Sequence, residues 1–377
     1  MSLNKFPFVS ICIVSFNHEN YVARCLESCL SQTYKNIEII IVDNGSIDNS
    51  VNVIKGYVAQ SESIQFFSLK DNIFTSAGFN YAIKKAKGEY ISLVSADDYY
   101  ELNKVERQLN YMVTKGLSNC FTWINAVDES NNIIEDTGFS SLFNRSFTDM
   151  ELKRHFILYG NTLCAPSIML HKSIFEKYGF FDHRLLQLQD YDLWLRVLIK
   201  EPLNILPEKL TNYCVRSDNG NLSSSTDDKV IFRSDFEQMQ MMKYILEFDL
   251  ESLSSAIGET CTIDNKYSKL LDYYISENND IYADGILCAL YECFCSNFEQ
   301  PSLKYNMFLE RYSVYDLFKH QLIRDKDLQL KIKDEKIKNL EQKVEYWYDL
   351  AHSLRLKSRL RRVIKIFIPS FGMNSES

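Results

Sequence analysis

The sequence lacks the glycine-rich loops by which the commonest nucleotide-binding folds hold phosphate groups. Its 377 residues contain neither a GxGxxG nor a GxxxxGK[ST] motif, which argues against dinucleotide and P-loop sites. It also lacks a CxxC pair, and its ten cysteines and six histidines are dispersed along the chain. We therefore expect reduced, packed thiols, with disulfides or a zinc site as the less favoured alternative.

An excess of positive charge and long apolar runs are missing as well. The formal net charge of −8 argues against a general nucleic-acid binder. No apolar run reaches the length of a transmembrane helix, and the segment from Met1 to Pro7 lacks the apolar region of a signal peptide. We therefore expect a cytoplasmic protein, and a hydrophobic fraction of 46% predicts a substantial core.

Short apolar runs alternate with segments of helical periodicity in the first half of the chain. This order predicts a parallel, doubly wound α/β sheet, in which ligands bind beyond the carboxyl ends of the strands. The predicted strands are 9–16, 37–42, 64–69 and 89–95, and the predicted helices between them are 21–32, 46–58 and 76–87.

The second half predicts a more varied order of elements and a division into three parts. The polar segment 217–228 is a candidate boundary, so we expect domains at 1–220, 221–320 and 321–377, the second of them helical. The predicted elements are a helix near 103–114, a β-hairpin of 120–127 with 133–137, helices at 149–159 and 190–200, and an extended segment at 205–215.

Polar side chains follow three of the predicted strands. Ser15 and Asn17 end the first strand, Asp43 ends the second, and the adjacent acids Asp97 and Asp98 end the fourth. Two like charges repel one another, so the pair requires a cation, a helix N-terminus or solvent. Asp43 can accept hydrogen bonds from a base imide or a ribose hydroxyl, although an isolated Asp-Asn-Gly sequence would be a simple turn. For the acid pair, the alternative is a cap on the following helix.

The C-terminal segment differs from the rest of the chain. Its apolar residues recur at alternating steps of three and four, which favours a short coiled coil, and thus a homodimer, as much as a helix packed on its own protomer. The basic residues that follow are interleaved with apolar ones, which favours docking on an anionic membrane surface over a solvated tail. The apolar series is Leu330, Ile337, Leu340, Val344, Trp347, Ala351 and Leu354; the basic series is Arg355, Lys357, Arg359, Arg361, Arg362 and Lys365.

Four separated segments of the sequence resemble the family-2 glycosyltransferases of the GT-A fold. They are residues 9–17, 31–46, 86–91 and 95–98, which occur in the family's order within a region of similarity over roughly residues 7–220. The resemblance implies a nucleotide-sugar donor, most often a UDP-sugar, and transfer with inversion to a hydroxyl of a glycan or lipid-linked acceptor. It also implies a role in cell-surface polysaccharide or glycan synthesis, on the inner face of a bacterial plasma membrane.

The same resemblance implies roles for the residues at the strand ends. Asp43 would hold the uracil or the ribose, and the backbone from Ser15 to Asn17 would line the same pocket. Asp97 would ligate a divalent metal, Mg²⁺ or Mn²⁺, at the diphosphate, where the cation neutralises the leaving group. Asp98 would contact the donor sugar or orient the site.

The segment from Gln187 to Arg196 resembles the acidic motif of the family, and Asp190 falls on the position of the catalytic base. Asp192 lies about 200° further around a helix and is better explained as an acid of its N-terminal turn. For Arg196, an ion pair within the fold is favoured over a phosphate contact.

The chain departs from the family pattern at several positions. Ser95 replaces the first acid of the DxD motif, Gln189 the usual Glu before the base, and Phe74 a Gly that often follows the donor-site residue Asn72 and its neighbour. Arg216 stands where many members have a metal-binding His, and it could bind the diphosphate directly instead. Metal dependence is therefore open. A catalytically inactive nucleotide-sugar-binding protein is the alternative function, whereas a nucleotidyltransferase would require a basic, Gly-rich N-terminal loop.

Overall fold

A computed structural model gives the fold, and it describes residues 6–135, 138–217, 228–263, 265–286 and 289. All of these residues belong to one compact unit, Met1–Ser296. The coiled-coil segment and the basic tail predicted within 321–377 lie outside the described residues, and so does the predicted boundary at 220. These features, and the three-domain division, remain predictions.

The first four strands form the parallel half of the sheet, as the alternation of elements predicts. They lie in the order β3-β2-β1-β4, and every residue of β1 is buried because helices cover both faces of the sheet. The strands are β1 (Val9–Ser15), β2 (Ile37–Asp43), β3 (Ile64–Ser68) and β4 (Tyr90–Ser95), and the helices between them are α1 (Val22–Leu30), α2 (Ser50–Val58) and α3 (Phe74–Lys85).

The sheet continues beyond β4 with strands of mixed direction, in the full order β3-β2-β1-β4-β7-β6-β8-β5. β7 is antiparallel to both β4 and β6, whereas β8 runs parallel to β6 and antiparallel to β5. These elements are β5 (Tyr99–Tyr100), α4 (Lys104–Lys115), β6 (Asn119–Val127), α5 (Gly138–Phe143), α6 (Asp149–Tyr159), β7 (Met169–His171), α7 (Ser173–Tyr178), α8 (Gln189–Leu198) and β8 (Ile205–Cys214).

The predicted β-hairpin of 120–127 with 133–137 is wrong. Within the described residues, the second segment contributes one isolated bridge, between Val127 and Ile133. The Asp128 carboxylate accepts hydrogen bonds from the backbone and side-chain nitrogens of Asn132, which closes a tight loop in place of a strand. β8, a distant segment that local sequence does not identify, pairs with the opposite edge of β6, since Val127 is a partner of both Cys214 and Ile133.

A helical segment follows the sheet, in agreement with the helical content predicted after residue 228. It contains α9 (Asp228–Ile245), α10 (Leu250–Ile257) and α11 (Lys266–Ser276), and a further helix occupies 280–286. We call residues 228–286 the helical extension. α9 packs against α8, and α10 packs against α6.

Two composition-based expectations can be compared with the described residues. The seven described cysteines are all buried, as expected of packed thiols, and none of them is in a disulfide. Among the helices of the described ranges, none is both long enough and apolar enough to cross a membrane.

Candidate active site

The carboxyl ends of β1 and β2 lie side by side, because Ser15 and Asp43 are partners in the parallel register. The Asp43 side chain is buried, and its two oxygens accept hydrogen bonds from the Ser46 backbone nitrogen at 3.0 Å and from Ser46 Oγ at 2.5 Å. Asp43 therefore does close its own turn. These contacts fix the orientation of the carboxylate, which has further lone-pair sites.

The loop after β1 is tied to the loop after β2. Asn17 has a positive φ of 53°, and its Oδ1 accepts a hydrogen bond from the Ile47 nitrogen at 3.0 Å, while its own nitrogen donates to Ser46 Oγ at 2.9 Å. Beside it, Phe16 is 38% exposed. Ser15 Oγ is buried without a hydrogen-bond partner among the described residues.

Asn72 is placed beside the same edge by Asn44. Its Oδ1 accepts hydrogen bonds from Asn44 Nδ2 at 2.9 Å and from the Phe74 nitrogen at 2.7 Å. Phe74 has a φ of 65°, a conformation that is strained for a bulky residue. The structure thus gives the reason why a Gly suits the position of Phe74.

Gly45 allows the loop after β2 to contact the loop after β3. Its φ is +81°, and a Cβ atom at this position would lie 2.8 Å from the carbonyl carbon of Asp71 and 2.9 Å from the nitrogen of Asn72. The turn after Asp43 therefore requires glycine both for its backbone conformation and for its packing.

The acid pair forms a buried corner at the end of β4. Burial first, and then the charge of Asp97, raise the pKa of Asp98 well above its usual value. Asp98 Oδ1 accepts a hydrogen bond from the Cys214 nitrogen at 2.8 Å, so this carboxyl also anchors the end of β8. The expected alternative of a cap on the following helix is wrong, because α4 begins after Asn103.

Two side chains that were absent from the sequence predictions, an imidazole and a guanidinium, border this corner. His18 Nε2 lies 3.9 Å from Asp97 Oδ2. Arg24 Nη2 donates to the carbonyl oxygen of Asp97 at 3.2 Å, and its guanidinium lies 4.5 Å from the centre of the Tyr99 ring. Their signal in the sequence is their place after the carboxyl end of β1, His18 in the loop and Arg24 in the first turn of α1.

Arg216 lies at the same end of the sheet, two residues beyond the Cys214 nitrogen that Asp98 holds. Its guanidinium carbon lies 5.1 Å from the centre of the Tyr21 ring. Tyr21 and Tyr99 pack in one apolar cluster, so the guanidinium groups of Arg216 and Arg24 both rest on aromatic rings beside the acid pair.

Asp190 lies in the first turn of α8. Its oxygens accept hydrogen bonds from Asn161 Nδ2 at 3.0 Å and from the Tyr191 nitrogen at 2.8 Å. Burial raises the pKa of Asp190 to about 6, and the negative charge of Glu237 acts in the same direction, against these hydrogen bonds. The residue nevertheless keeps some solvent exposure. A carboxyl with these properties suits a general base.

Asp192 faces away from this site. Its Oδ2 pairs with Arg196 Nη2 at 2.6 Å, and Arg196 also donates to the carbonyl oxygen of Phe180 at 3.0 Å. The expectation of a first-turn acid and a structural ion pair is therefore confirmed by these contacts.

A buried thiol links the two acidic parts of the site. Burial and the charges of Asp98 and Asp190 raise the pKa of Cys164 well above its usual value. Both carboxyl groups therefore lie near Cys164, although 92 positions separate them in the sequence. The predicted base and the acid pair therefore lie near the same buried thiol.

Part of this chain is similar in sequence to known proteins. The profile described as Glycosyl transferase family 2 matches residues 10–179. An Escherichia coli protein named UDP-Glc:alpha-D-GlcNAc-diphosphoundecaprenol beta-1,3-glucosyltransferase WfaP is 31% identical over 194 residues, which are 51% of this chain and 70% of that protein. The chain belongs to glycosyl transferase family 2.

Other members of family 2 are longer than this region of similarity. A glycosyltransferase of Rickettsia typhi is 35% identical over 51% of this chain and 59% of its own length. Another, from Rickettsia felis, is 32% identical over 59% of this chain and 36% of its own length. The chain thus spans less than two thirds of these relatives.

A solved structure supports the fold. S. aureus TarS 1–349 in complex with UDP-GlcNAc has a TM-score of 0.51 and 14% identity, over 78% of this chain and 93% of that chain. The predicted GT-A fold of family 2 is therefore confirmed. The profile match ends at residue 179, so Asp190, Arg216 and the helical extension lie beyond it.

Family 2 implies a divalent metal cofactor, and the acid corner is the candidate site for it. In the described part of the chain, no group of three or more His, Cys, Asp or Glu side chains forms a metal cluster. Mg²⁺ is usually bound by one or two carboxylates together with substrate phosphates, so a cluster of that size is not required. The like-charge repulsion between Asp97 and Asp98 is a feature that a cation would relieve, so these residues fit such a metal.

Proposed function

We propose that the protein is an inverting glycosyltransferase that moves a hexosyl or N-acetylhexosaminyl group from a UDP-sugar to a hydroxyl of a glycan or lipid-linked acceptor. The main support is that Asp190, whose pKa is about 6, and the acid corner of Asp98 lie near the same buried thiol, Cys164. The name of the WfaP relative specifies a UDP-Glc donor and a diphosphoundecaprenol-linked acceptor, and TarS has been solved with UDP-GlcNAc.

The donor would lie along the carboxyl ends of β1, β2 and β4. Asp43 would accept hydrogen bonds from the uracil or the ribose, with Ser15, Asn17 and Asn72 lining the same pocket. The hydrogen bonds that Asn17 accepts from Ile47, and Asn72 from Asn44, hold these loops in place before a ligand arrives, which lowers the entropic cost of binding.

The diphosphate would lie at the acid corner. Asp97 would hold a Mg²⁺ or Mn²⁺ ion, which, when bound, neutralises charge on the leaving diphosphate. Arg216 would contact the diphosphate from the end of β8, since a guanidinium suits phosphate oxygens. Asp98 keeps the end of β8 beside Asp97 and would orient the donor sugar.

Asp190 would act on the acceptor. Its carboxylate would take the proton of the attacking hydroxyl as the new C–O bond forms at the anomeric carbon, and the bond to the diphosphate would break on the opposite face of the sugar. Its pKa of about 6 means that most molecules carry the ionised base at neutral pH.

Hydrolysis of donors tests this proposal in the full chain. We expect slow release of UDP from one UDP-sugar in a panel, faster release with an acceptor hydroxyl, and weaker UDP and Mn²⁺ binding in Asp97→Ala. The product should carry the opposite anomeric configuration. No turnover with any donor, despite UDP binding, would instead favour the inactive nucleotide-sugar-binding protein that Ser95, Gln189 and Arg216 suggest as an alternative.

We further propose that the chain acts at the inner face of the plasma membrane, in cell-surface polysaccharide or glycan synthesis. The support comes from the sequence, because the basic and apolar residues of 355–368 suit an anionic lipid surface. A homodimer through the apolar seam of 330–354 is a proposal of the same kind.

A further inference from the structure

A buried carboxylate from the helical extension binds the backbone just before the proposed base. The nitrogens of Leu186, Gln187 and Leu188 all donate hydrogen bonds to the Glu237 carboxylate, each at 2.8 Å. Glu237 lies on α9 and is only 3% exposed. Because one buried carboxylate accepts three hydrogen bonds, the Glu237 side chain and the backbone of residues 186–188 hold each other in place.

The site of this contact is the beginning of α8. Leu188 is the N-cap residue of α8, and a leucine side chain cannot accept hydrogen bonds from the free backbone nitrogens of a helix end. Glu237 instead binds the nitrogens of the N-cap residue and of the two residues before it, and its negative charge interacts favourably with the positive end of the helix dipole. The first turn of α8, which carries Asp190, is thereby fixed.

The same loop is held on its other side by α3. Asn80 exchanges two hydrogen bonds with the backbone of Phe181, at 2.8 Å and 3.0 Å, and Ser76 Oγ donates to the carbonyl oxygen of Leu185 at 3.2 Å. α3 begins directly after the loop that contains Asn72, which is proposed to line the nucleotide pocket. The segment that leads to the base is therefore clamped between the nucleotide-binding half and the helical extension.

We propose that Glu237 is a positioning residue for the base Asp190, and that the helical extension thus forms part of the active site. This inference rests on the proposed function. Glu237 would act in two ways, by fixing the backbone that precedes Asp190 and by placing a negative charge near its carboxyl. The Cys164 thiol is a further titratable group near Asp190.

Glu237→Gln in the full chain tests the proposal, because glutamine keeps the size of the side chain but loses the charge and one acceptor. We expect kcat to fall about tenfold or more through misplacement of Asp190. The acid limb of the kcat/KM profile should move to lower pH, since a like charge is removed, and UDP affinity should stay unchanged. Glu247→Gln makes the same chemical change at an exposed position beyond α9 and should leave all three quantities unaltered.

Rates are expressed per UDP-binding site, so that a loss of folded protein is not mistaken for a catalytic effect. An unchanged kcat and acid limb per binding site in Glu237→Gln would overturn the positioning role. Glu237→Asp keeps the charge on a shorter side chain, so kcat should fall while the acid limb stays near that of the wild type. An unaltered kcat in Glu237→Asp would also count against the proposal.

Asp190→Asn separates this inference from the proposed function. If Asp190→Asn is inactive and Glu237→Gln behaves as the wild type, the positioning role alone is wrong. If Asp190→Asn retains the full kcat, the base assignment fails, and the role of Glu237 fails with it.

Discussion

At the scale of single residues, the site depends on carboxyl groups that share burial but differ in partners. Asp43 receives two hydrogen bonds from Ser46 within its own turn. Asp98 is buried beside a second acid and receives one backbone hydrogen bond. Asp190 receives one hydrogen bond from a backbone nitrogen and one from the Asn161 side chain, and it has a pKa of about 6. Because their partners differ, Asp98 and Asp190, whose pKa values are both raised, can be tested separately.

The first prediction concerns the pH dependence of Asp190. A base must be ionised, so kcat/KM should decrease as the pH falls through about 6 and approach a tenfold loss per pH unit. Asp190→Asn should lower kcat about 10²–10⁴-fold, abolish the acid limb and leave UDP affinity nearly intact. Steady-state kinetics from pH 4.5 to 8 and UDP titrations measure both effects.

Asp149 offers a matched control for this prediction, because it is an exposed acid in the first turn of α6. Asp149→Asn should keep the rate and the pH profile of the wild type. An acid limb that persists unchanged in Asp190→Asn would show that another group titrates.

The second prediction separates the structural role of Asp98 from its charge. Asp98→Asn keeps an acceptor for the Cys214 nitrogen and removes a buried acid, so it should not reduce the free energy of unfolding. Asp98→Ala leaves that nitrogen unpaired and should reduce it by about 1–3 kcal/mol. Urea unfolding at pH 7 distinguishes the two variants. The exposed Asp71→Ala serves as the control, and equal losses in both Asp98 variants would contradict the role of the hydrogen bond.

At the scale of elements, the parallel half of the sheet was predictable and its mixed half was not. β1, β2 and β4 are apolar on both faces, a pattern that local sequence displays directly. β8 pairs with both β6 and β5 across long stretches of chain, and no periodicity indicates which strands will meet. The hairpin was predicted from the turn residues before Ile133. It does not form because the apolar segment after that turn is too short to make a strand.

The third prediction concerns the loop after β2. Gly45→Ala should lower the free energy of unfolding by about 1–2 kcal/mol or more, because of its positive φ and its close approach to Asp71. The displaced turn should also weaken UDP binding, which calorimetry measures.

Gly116 has a similar φ of +66°, and a Cβ atom added there would meet no atom within 4 Å, so Gly116→Ala isolates the backbone term and should leave UDP affinity unchanged. Wild-type UDP affinity in Gly45→Ala would contradict a role of this turn in the nucleotide pocket.

At the scale of the whole molecule, the helical extension is the element whose role the structure changed most. Its sequence displays no motif, yet its Glu237 reaches residues 49 to 51 positions earlier in the chain. A further buried contact, from the Tyr274 hydroxyl to the carbonyl oxygen of Ile157, joins the extension to α6. Removal of the extension should therefore disturb the base as well as the fold.

The fourth prediction concerns the basic tail, which the sequence alone supports. The full chain should sediment with vesicles that contain anionic phospholipid at low salt, and less so near 0.15 M salt, where charges are screened beyond about 8 Å. Deletion of 355–377 should abolish sedimentation but not UDP binding. Deletion of 369–377, which removes no basic residue, is the control. Sedimentation that survives the longer deletion would place the membrane contact elsewhere.

The sequence by itself determined the α/β class, the family and most of the polar residues at the strand ends, because the carboxyl ends of parallel strands meet at one edge of a sheet. Only the tertiary structure decided what surrounds those residues. The Asn161 hydrogen bond on Asp190, the Glu237 carboxylate before α8, and His18 and Arg24 beside Asp97 all join segments distant in the chain. Burial and charge set the pKa of a carboxyl group, and both arise from the packing of those distant segments, so no local pattern could contain them.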